Sequence, residues 1–217
     1  KLKKTIQKIF GLKSSKNIKN FLPGSEIKII NNKKYFYGLK KKKLNIGITM
    51  GGYDVKNNTL KILKLVYKFK NDINIHILLN KKNLVQVVKI KNFIKKKHLS
   101  VKLYNMNKNP WIIFKNTSFI LVSGGLTAYE SAFVGLPSIN IINDNNKKKL
   151  TSYLEKKKLT KIFTIYQKNK IKNLIQNYIY KRILLIYEKN RLNKFNKKVK
   201  LDSYKRFEYL LKKKKLI

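Results

Sequence analysis

One stretch constrains this chain more than any other: Ser118 to Ile142, SFILVSGGLTAYESAFVGLPSINII. Its apolar run Phe119-Ile120-Leu121-Val122 suits a buried strand. Ser123-Gly124-Gly125 follows, where the backbone can take positive φ or approach a ligand closely. Thr127-Ala128-Tyr129-Glu130 has the Ser/Thr-x-x-Glu spacing of a capping box, which predicts a helix start at Thr127. Gly135 ends that helix and Pro137 stops it from continuing. Ile139 to Ile142 then supply a second strand. Strand, glycine turn, helix and strand together put a helix N-terminus in the crevice beyond the carboxyl ends of the strands. Free N–H groups and the helix dipole favour a phosphate there. The same turn also serves α/β domains that bind nothing at that point. Glu130 reads two ways: as a cap bonding the Thr127 backbone N–H, or as a carboxylate accepting hydrogen bonds from sugar hydroxyls.

A second unit of the same kind precedes it. Leu44 to Met50 alternates apolar with small or polar residues, a strand signal. Gly51-Gly52-Tyr53-Asp54 breaks it, and a helix is predicted from Asn58 to about Lys70 with Leu60, Leu63, Val66 and Tyr67 on one face. Asp54 is expected to cap that helix or support the turn. Two glycine loops in one domain point to a shared ligand crevice.

The remaining chain alternates in the same way. Ile73–Leu79 reads as a strand, with His76 inside it as a structural residue. Asn83–Lys97 reads as a helix with Leu84, Val87, Val88, Lys91 and Ile94 inward, and Val101–Tyr104 as a short strand. Asn109-Pro110 looks like an N-cap and first helical position ahead of a short helix, Trp111–Lys115. Asn143–Asn146 reads as a polar loop, Lys147–Lys158 as a helix with Leu150, Tyr153 and Leu154 inward, and Ile162–Ile165 as the last strand. One long helix is predicted from Ile171 to Phe195, and a final basic helix over Ser203–Lys214. At the start, Lys1–Asn20 suits a basic amphipathic helix ending near Gly11. A turn at Phe21–Ser25, an extended segment at Ile27–Ile30 and a charged loop at Lys40–Lys43 follow. Each helix is long enough to cross between parallel strands. The expected fold is a three-layer α/β domain on a parallel, Rossmann-like sheet.

Composition narrows the chemistry. The 217 residues suit one large domain or a domain with a tail, and 43% apolar residues can build a core. The first residue is Lys rather than Met, which suggests a fragment or a processed chain. No apolar run reaches the roughly 18 residues of a membrane span, and no secretory signal is visible, so a cytoplasmic location is expected. With no cysteine, disulfides, thiolate catalysis and Cys-type zinc sites are excluded. His76 and His98 are the only histidines, so no metal site and no cofactor are expected. The net charge of +44, from 53 Lys+Arg against 9 Asp+Glu, taken at face value suggests nucleic acid or an anionic surface. Yet Arg occurs only at Arg182, Arg191 and Arg206, and Lys, Asn and Ile share adenine- and thymine-rich codons. Codon bias therefore accounts for the charge better than dedicated nucleic-acid binding, and any such binding is expected to be non-specific.

The residues resemble a known family. Ile48-Thr49-Met50-Gly51-Gly52-Tyr53-Asp54, followed by Lys56-Asn57-Asn58-Thr59, is similar to the GGSD-x-x-N-x-T segment of the UDP-sugar hydrolases of pseudaminic acid synthesis. Ser123-Gly124-Gly125-Leu126-Thr127-Ala128-Tyr129-Glu130 and Gly135-Leu136-Pro137 resemble that family's G-x-T-x-x-E…G-x-P segment, which the two-lobed, B-type glycosyltransferases share, MurG-like enzymes among them. The resemblance covers about Phe21 to Ile165. It implies a nucleotide-sugar-binding C-terminal lobe over residues 21–217, with 1–20 a linker or the remnant of an N-terminal lobe. UDP would lie along the crevice with its diphosphate near the glycine loops. The implied contacts are Gly51, Gly52, Tyr53, Asp54, Ser123, Gly124, Gly125 and Leu126, with Thr127 facing phosphate and Glu130 holding the ribose. No metal is required, since amides and helix dipoles carry the counter-charge.

The chain departs from that pattern in three ways. The upstream glycine-histidine lobe with the family's proposed catalytic histidine is missing, Tyr53 stands where Ser is usual, and Asn145-Asn146-Lys147 replaces an Asn-Gln pair. The leading expectation is a UDP-binding lobe of a hydrolase that releases UDP from a diacetamido-trideoxy sugar, with a separate or missing N-terminal lobe as partner. The alternatives are the same lobe of a MurG-like transferase and, from another class, a basic nucleic-acid-binding protein.

Overall fold

The computed structural model describes residues 43–52, 54, 56–80, 83–105 and 110–198. The expectations for residues 1–42, Tyr53, Asn109 and Ser203–Lys214 lie outside the described residues. The strands are β1 (Leu44–Thr49), β2 (Ile73–Leu79), β3 (Val101–Asn105), β4 (Phe119–Val122), β5 (Ser138–Ile141) and β6 (Lys161–Phe163). They form one sheet in the order β3-β2-β1-β4-β5-β6, every pairing parallel. The helices are α1 (Asn58–Val66), α2 (Leu84–Lys97), α3 (Trp111–Phe114), α4 (Leu126–Phe133), α5 (Asn145–Lys156), α6 (Lys168–Tyr180) and α7 (Arg182–Lys198). A 3-10 turn, Tyr67–Phe69, extends α1.

Strand alternation divides the core between the two faces of the sheet. Phe119, Leu121, Ile139 and Ile141 point to one face and pack with Ile62, Leu63 and Val66 of α1, Ile90 of α2 and Ile171, Ile175 and Tyr178 of α6. Ile120 and Val122 point to the other and meet Trp111, Phe114, Val134 and Leu136. Both faces of the central strands are therefore covered, which explains why β4 reads as a continuous apolar run and why β1 is buried along its whole length, Asn45 and Thr49 included. The three-layer parallel α/β reading holds.

Four local expectations are corrected. The single helix Ile171–Phe195 is two, broken at Lys181 (φ −104°, ψ 63°), so that the chain can turn while Tyr178 and Leu185 both reach the core. On α2 the inward face is Gln86, Val87 and Ile90, while Leu84 and Val88 are exposed. Asp54 draws Gln86 inward by accepting its side-chain amide, and this sets the rotation of the helix. On α5, Thr151 and Leu154 are buried and Leu150 and Tyr153 are exposed, because Thr151 bonds the glycine turn beneath β4. Pro110 is itself the cap of α3 rather than its first helical residue.

Candidate functional site

The strand order reverses between β1 and β4. This is the topological switch point, where open α/β sheets form a crevice beyond the carboxyl ends of their strands. Both glycine loops leave the sheet there, since Thr49 pairs with Val122 at the ends of the two strands. The loops touch: a Cβ built on Gly51 would lie 3.7 Å from Ser123 Oγ. The third loop, after β5, joins them. An open cleft of about 190 Å³ is lined by Met50, Asp54, Lys56, Asn58, Ser123, Ile141, Asn143, Asp144 and Lys147.

Three helices begin at this cleft, and their N-termini are not equivalent. At α1 the buried Asp54 carboxylate accepts the backbone N–H groups of Asn58 (2.8 Å) and Thr59 (2.6 Å) and the Gln86 side-chain amide (2.7 Å). The expectation that Asp54 caps the helix and supports the turn describes this geometry. At α5 the Asp144 carboxylate accepts the Lys147 N–H at 2.9 Å. A carboxylate therefore already answers the dipole of each of these helices.

α4 differs. Its cap is Gly125, at φ 71° and ψ −142°, with no side chain to offer. The cap stands two residues ahead of Thr127, the cap of the capping-box reading, so the helix starts at Leu126 and Thr127 lies inside its first turn. The capping-box reading of Thr127 and Glu130 is therefore overturned. Left-handed Gly124 and Gly125 turn the chain too sharply for Thr127 to stand at the cap. The Gly125 N–H donates to Thr151 Oγ1 at 2.9 Å, which fastens the turn to α5. The first-turn amides of Leu126 and Thr127 take no partner among the described residues. Gly124 is required by packing as well as by its φ of +76°: a Cβ there would run into Ile142, with Cγ1 only 2.8 Å away.

Lys147 reaches across this turn. Its Cγ would meet a Cβ on Gly125 at 4.0 Å, and its Nζ lies 3.5 Å from Ser123 Oγ. With Lys56 it brings two ammonium groups to the cleft, matched in formal charge by the Asp54 and Asp144 carboxylates, which accept backbone amides. Such a cleft offers amides and ammonium groups to an anion.

Of the residues expected at the site, Gly51, Asp54, Ser123, Gly124 and Gly125 come together around the cleft. Gly52 is half-buried in the first loop, Leu126 is exposed at the head of α4, and Thr127 and Glu130 are half-buried along its first turns. Tyr53 lies outside the described residues. The sequence reading did not count Lys56, Asn58, Asn143, Asp144 and Lys147 as site residues. The signal for the last three was their place directly after β5, the strand beside β4. His76 is held by the Tyr104 hydroxyl at 3.1 Å and stacks on that ring, consistent with a structural role, and His98 is the left-handed cap ending α2. Among the described residues no cluster of His, Asp and Glu could hold a metal ion, and no helix is long and apolar enough to cross a membrane.

No family model matches the chain. An uncharacterized protein of Methanocaldococcus jannaschii is 29% identical over 145 residues, which is 61% of this chain and 29% of that protein. Among solved structures, MurG of Acinetobacter baumannii is similar with a TM-score of 0.66 at 14% identity, over 83% of this chain and 53% of that one. UDP-GlcNAc 2-epimerase of Neisseria meningitidis, bound to UDP-GlcNAc, is similar with a TM-score of 0.56 at 19% identity, over 97% of this chain and 51% of that one. A mutant O-GlcNAc transferase of Thermobaculum terrenum follows at 0.58 and 12%, over 80% and 35%. The chain thus shares a fold with the B-type glycosyltransferases and spans about half the length of MurG and the epimerase.

Proposed function

We propose that this chain is a nucleotide-sugar-binding lobe, that its ligand is a UDP-sugar, and that the diphosphate sits at the head of α4. One observation carries the reading. Of the three helices opening onto the switch-point cleft, only α4 has a cap without a carboxylate, and this leaves the Leu126 and Thr127 amides for an anion beside Lys147. Gly51, Gly52, Ser123, Gly124 and Gly125 bring backbone close to the ligand, Asp54 holds the first loop rigid, and Glu130 accepts the ribose hydroxyls. The similarity to an epimerase bound to UDP-GlcNAc supports uridine as the nucleoside.

Within this reading, the motif resemblance favours the hydrolase that releases UDP from a diacetamido-trideoxy sugar. The similarity to MurG gives the transferase of the same fold as the second reading. The catalytic base comes from a second lobe, either separate or continuous with this one. Titration calorimetry with UDP, ADP and GDP tests the binding claim. UDP should bind most tightly. Equal heats for the three would remove the uridine assignment, and no heat for any would remove the site. If UDP binds, product analysis after adding the partner lobe distinguishes the readings: free sugar indicates hydrolysis, and turnover only with an acceptor indicates transfer.

A further inference from the structure

We propose that the face of this lobe opposite the cleft docks on the surface of an acidic lipid bilayer. The face is built on α7. Leu185, Glu188, Lys189 and Leu192 are its buried side. On the other side Ile183, Ile186 and Tyr187 fall within one turn of each other and stand in solvent, Ile183 being 76% and Tyr187 59% exposed. Tyr180, at the end of α6, is exposed just before them.

Two contacts locate this face. The Tyr180 hydroxyl donates to Asp72 at 3.0 Å, and Asp72 directly precedes β2. The Arg191 guanidinium donates to the Lys158 carbonyl at 2.7 Å, ahead of β6. Both lie at the amino-terminal edge of the sheet, so the cleft points the other way, into solvent.

Cations stand beside Tyr187. The Arg191 guanidinium lies 4.6 Å from the centroid of the Tyr187 ring. The Tyr187 hydroxyl is held below its ordinary pKa by Arg191 first, with Lys158 and Lys194 adding to the effect. The nearby carboxylates are engaged, Asp72 with Tyr180 and Glu188 with the buried Tyr178 hydroxyl.

The chemistry of this patch selects its partner. Acidic headgroups attract the cations. Tyrosine suits the headgroup boundary, and an isoleucine held out in water gains only by entering an apolar phase. A nucleic acid would reward stacking rings and phosphate contacts but not Ile183. A second copy of a chain carrying +44 would bring like charge against like.

The test sediments the full chain with phosphatidylcholine vesicles, with and without about one-third phosphatidylserine. The chain should bind the acidic vesicles only. Ile183→Ser with Tyr187→Ser, which keeps every cation, should weaken that binding about tenfold. Leu84→Ser with Val88→Ser, an exposed apolar pair on α2, should leave it unchanged. Ile183→Trp should shift its emission to the blue on acidic vesicles and be quenched by brominated lipid. Equal binding by the first double variant and the wild type would show adsorption by charge alone and overturn the proposal. An equal loss in the α2 variant, or an Ile183→Trp emission that does not respond, would also overturn it. If polyuridylate binding fell as much as vesicle binding in the Ile183/Tyr187 variant, the surface would belong to nucleic acid instead.

Discussion

Gly124 and Glu130 are the residues whose substitution separates the site from its scaffold. A methyl group on Gly124 meets Ile142 and must be accommodated at a φ of +76°. Gly124→Ala should therefore destabilise the fold by at least about 2 kcal/mol in urea unfolding, the scale of an overpacked core with added backbone strain. Glu130 is a different case. Because α4 starts at Leu126 on a glycine cap, Glu130 lies too far along the helix to cap it. Glu130→Ala should weaken UDP binding by roughly 1–3 kcal/mol, the cost of unpaired ribose hydrogen bonds. A variant that loses stability but binds UDP as before would take Glu130 out of the site.

At the scale of elements, the break at Lys181 folds α7 back on α6, and a buried polar pair joins the two helices. The Tyr178 hydroxyl donates to Glu188, and burial raises the pKa of both groups. Tyr178→Phe should cost roughly 1–3 kcal/mol, because it leaves a buried carboxylate without its donor. Lys189, next along α7, is only 2% exposed, and burial lowers its pKa from 10.5 to about 8. The sign of the resulting pH dependence follows from proton binding. Between those two values the unfolded chain binds the proton that the folded chain has lost, so this group adds stability as pH rises. Relative to Lys189→Met, the wild type should gain up to about 3 kcal/mol between pH 8 and pH 10.5. Taking the difference between the two proteins cancels the titration of Tyr178 and of the exposed lysines. A gap that stays constant with pH would mean that Lys189 is charged in the native protein.

At the scale of the whole molecule, the proposed function makes the cleft half a site. Its 190 Å³ falls short of the roughly 300–1,000 Å³ that encloses a whole small-molecule ligand. Among its described lining residues the ionisable groups are Asp54, Lys56, Asp144 and Lys147, and both carboxylates already hold backbone amides. No group there is poised as a general base. The chain alone should therefore bind UDP and yet release none from a UDP-sugar. Turnover by this chain alone at about 1 per second or more would refute the half-site reading. Any affinity for DNA should collapse as salt rises and show no preference among sequences, because scattered lysines lack the bidentate fork of arginine.

The fold class was legible in the sequence because it depends on local signals. Apolar runs of strand length, glycine turns after them and helical periodicity between them leave a parallel, doubly covered sheet as the arrangement that buries every apolar face. The two glycine loops and Asp54 could be placed for the same reason, since a turn signal and a cap act over a few residues. The tertiary structure alone decided which helix end opens on the cleft without a capping carboxylate. Thr127 looked like a cap until Thr151, from a helix across the cleft, was seen to hold the Gly125 amide. Lys147 entered the site because β5 lies beside β4, a pairing that no local pattern encodes. The rotations of α2 and α5 were likewise set by single polar contacts, Asp54 with Gln86 and Gly125 with Thr151. In both helices a bonded polar side chain shares the buried face with apolar ones, Gln86 with Val87 and Ile90 and Thr151 with Leu154, because a polar group taken out of water must keep its partner.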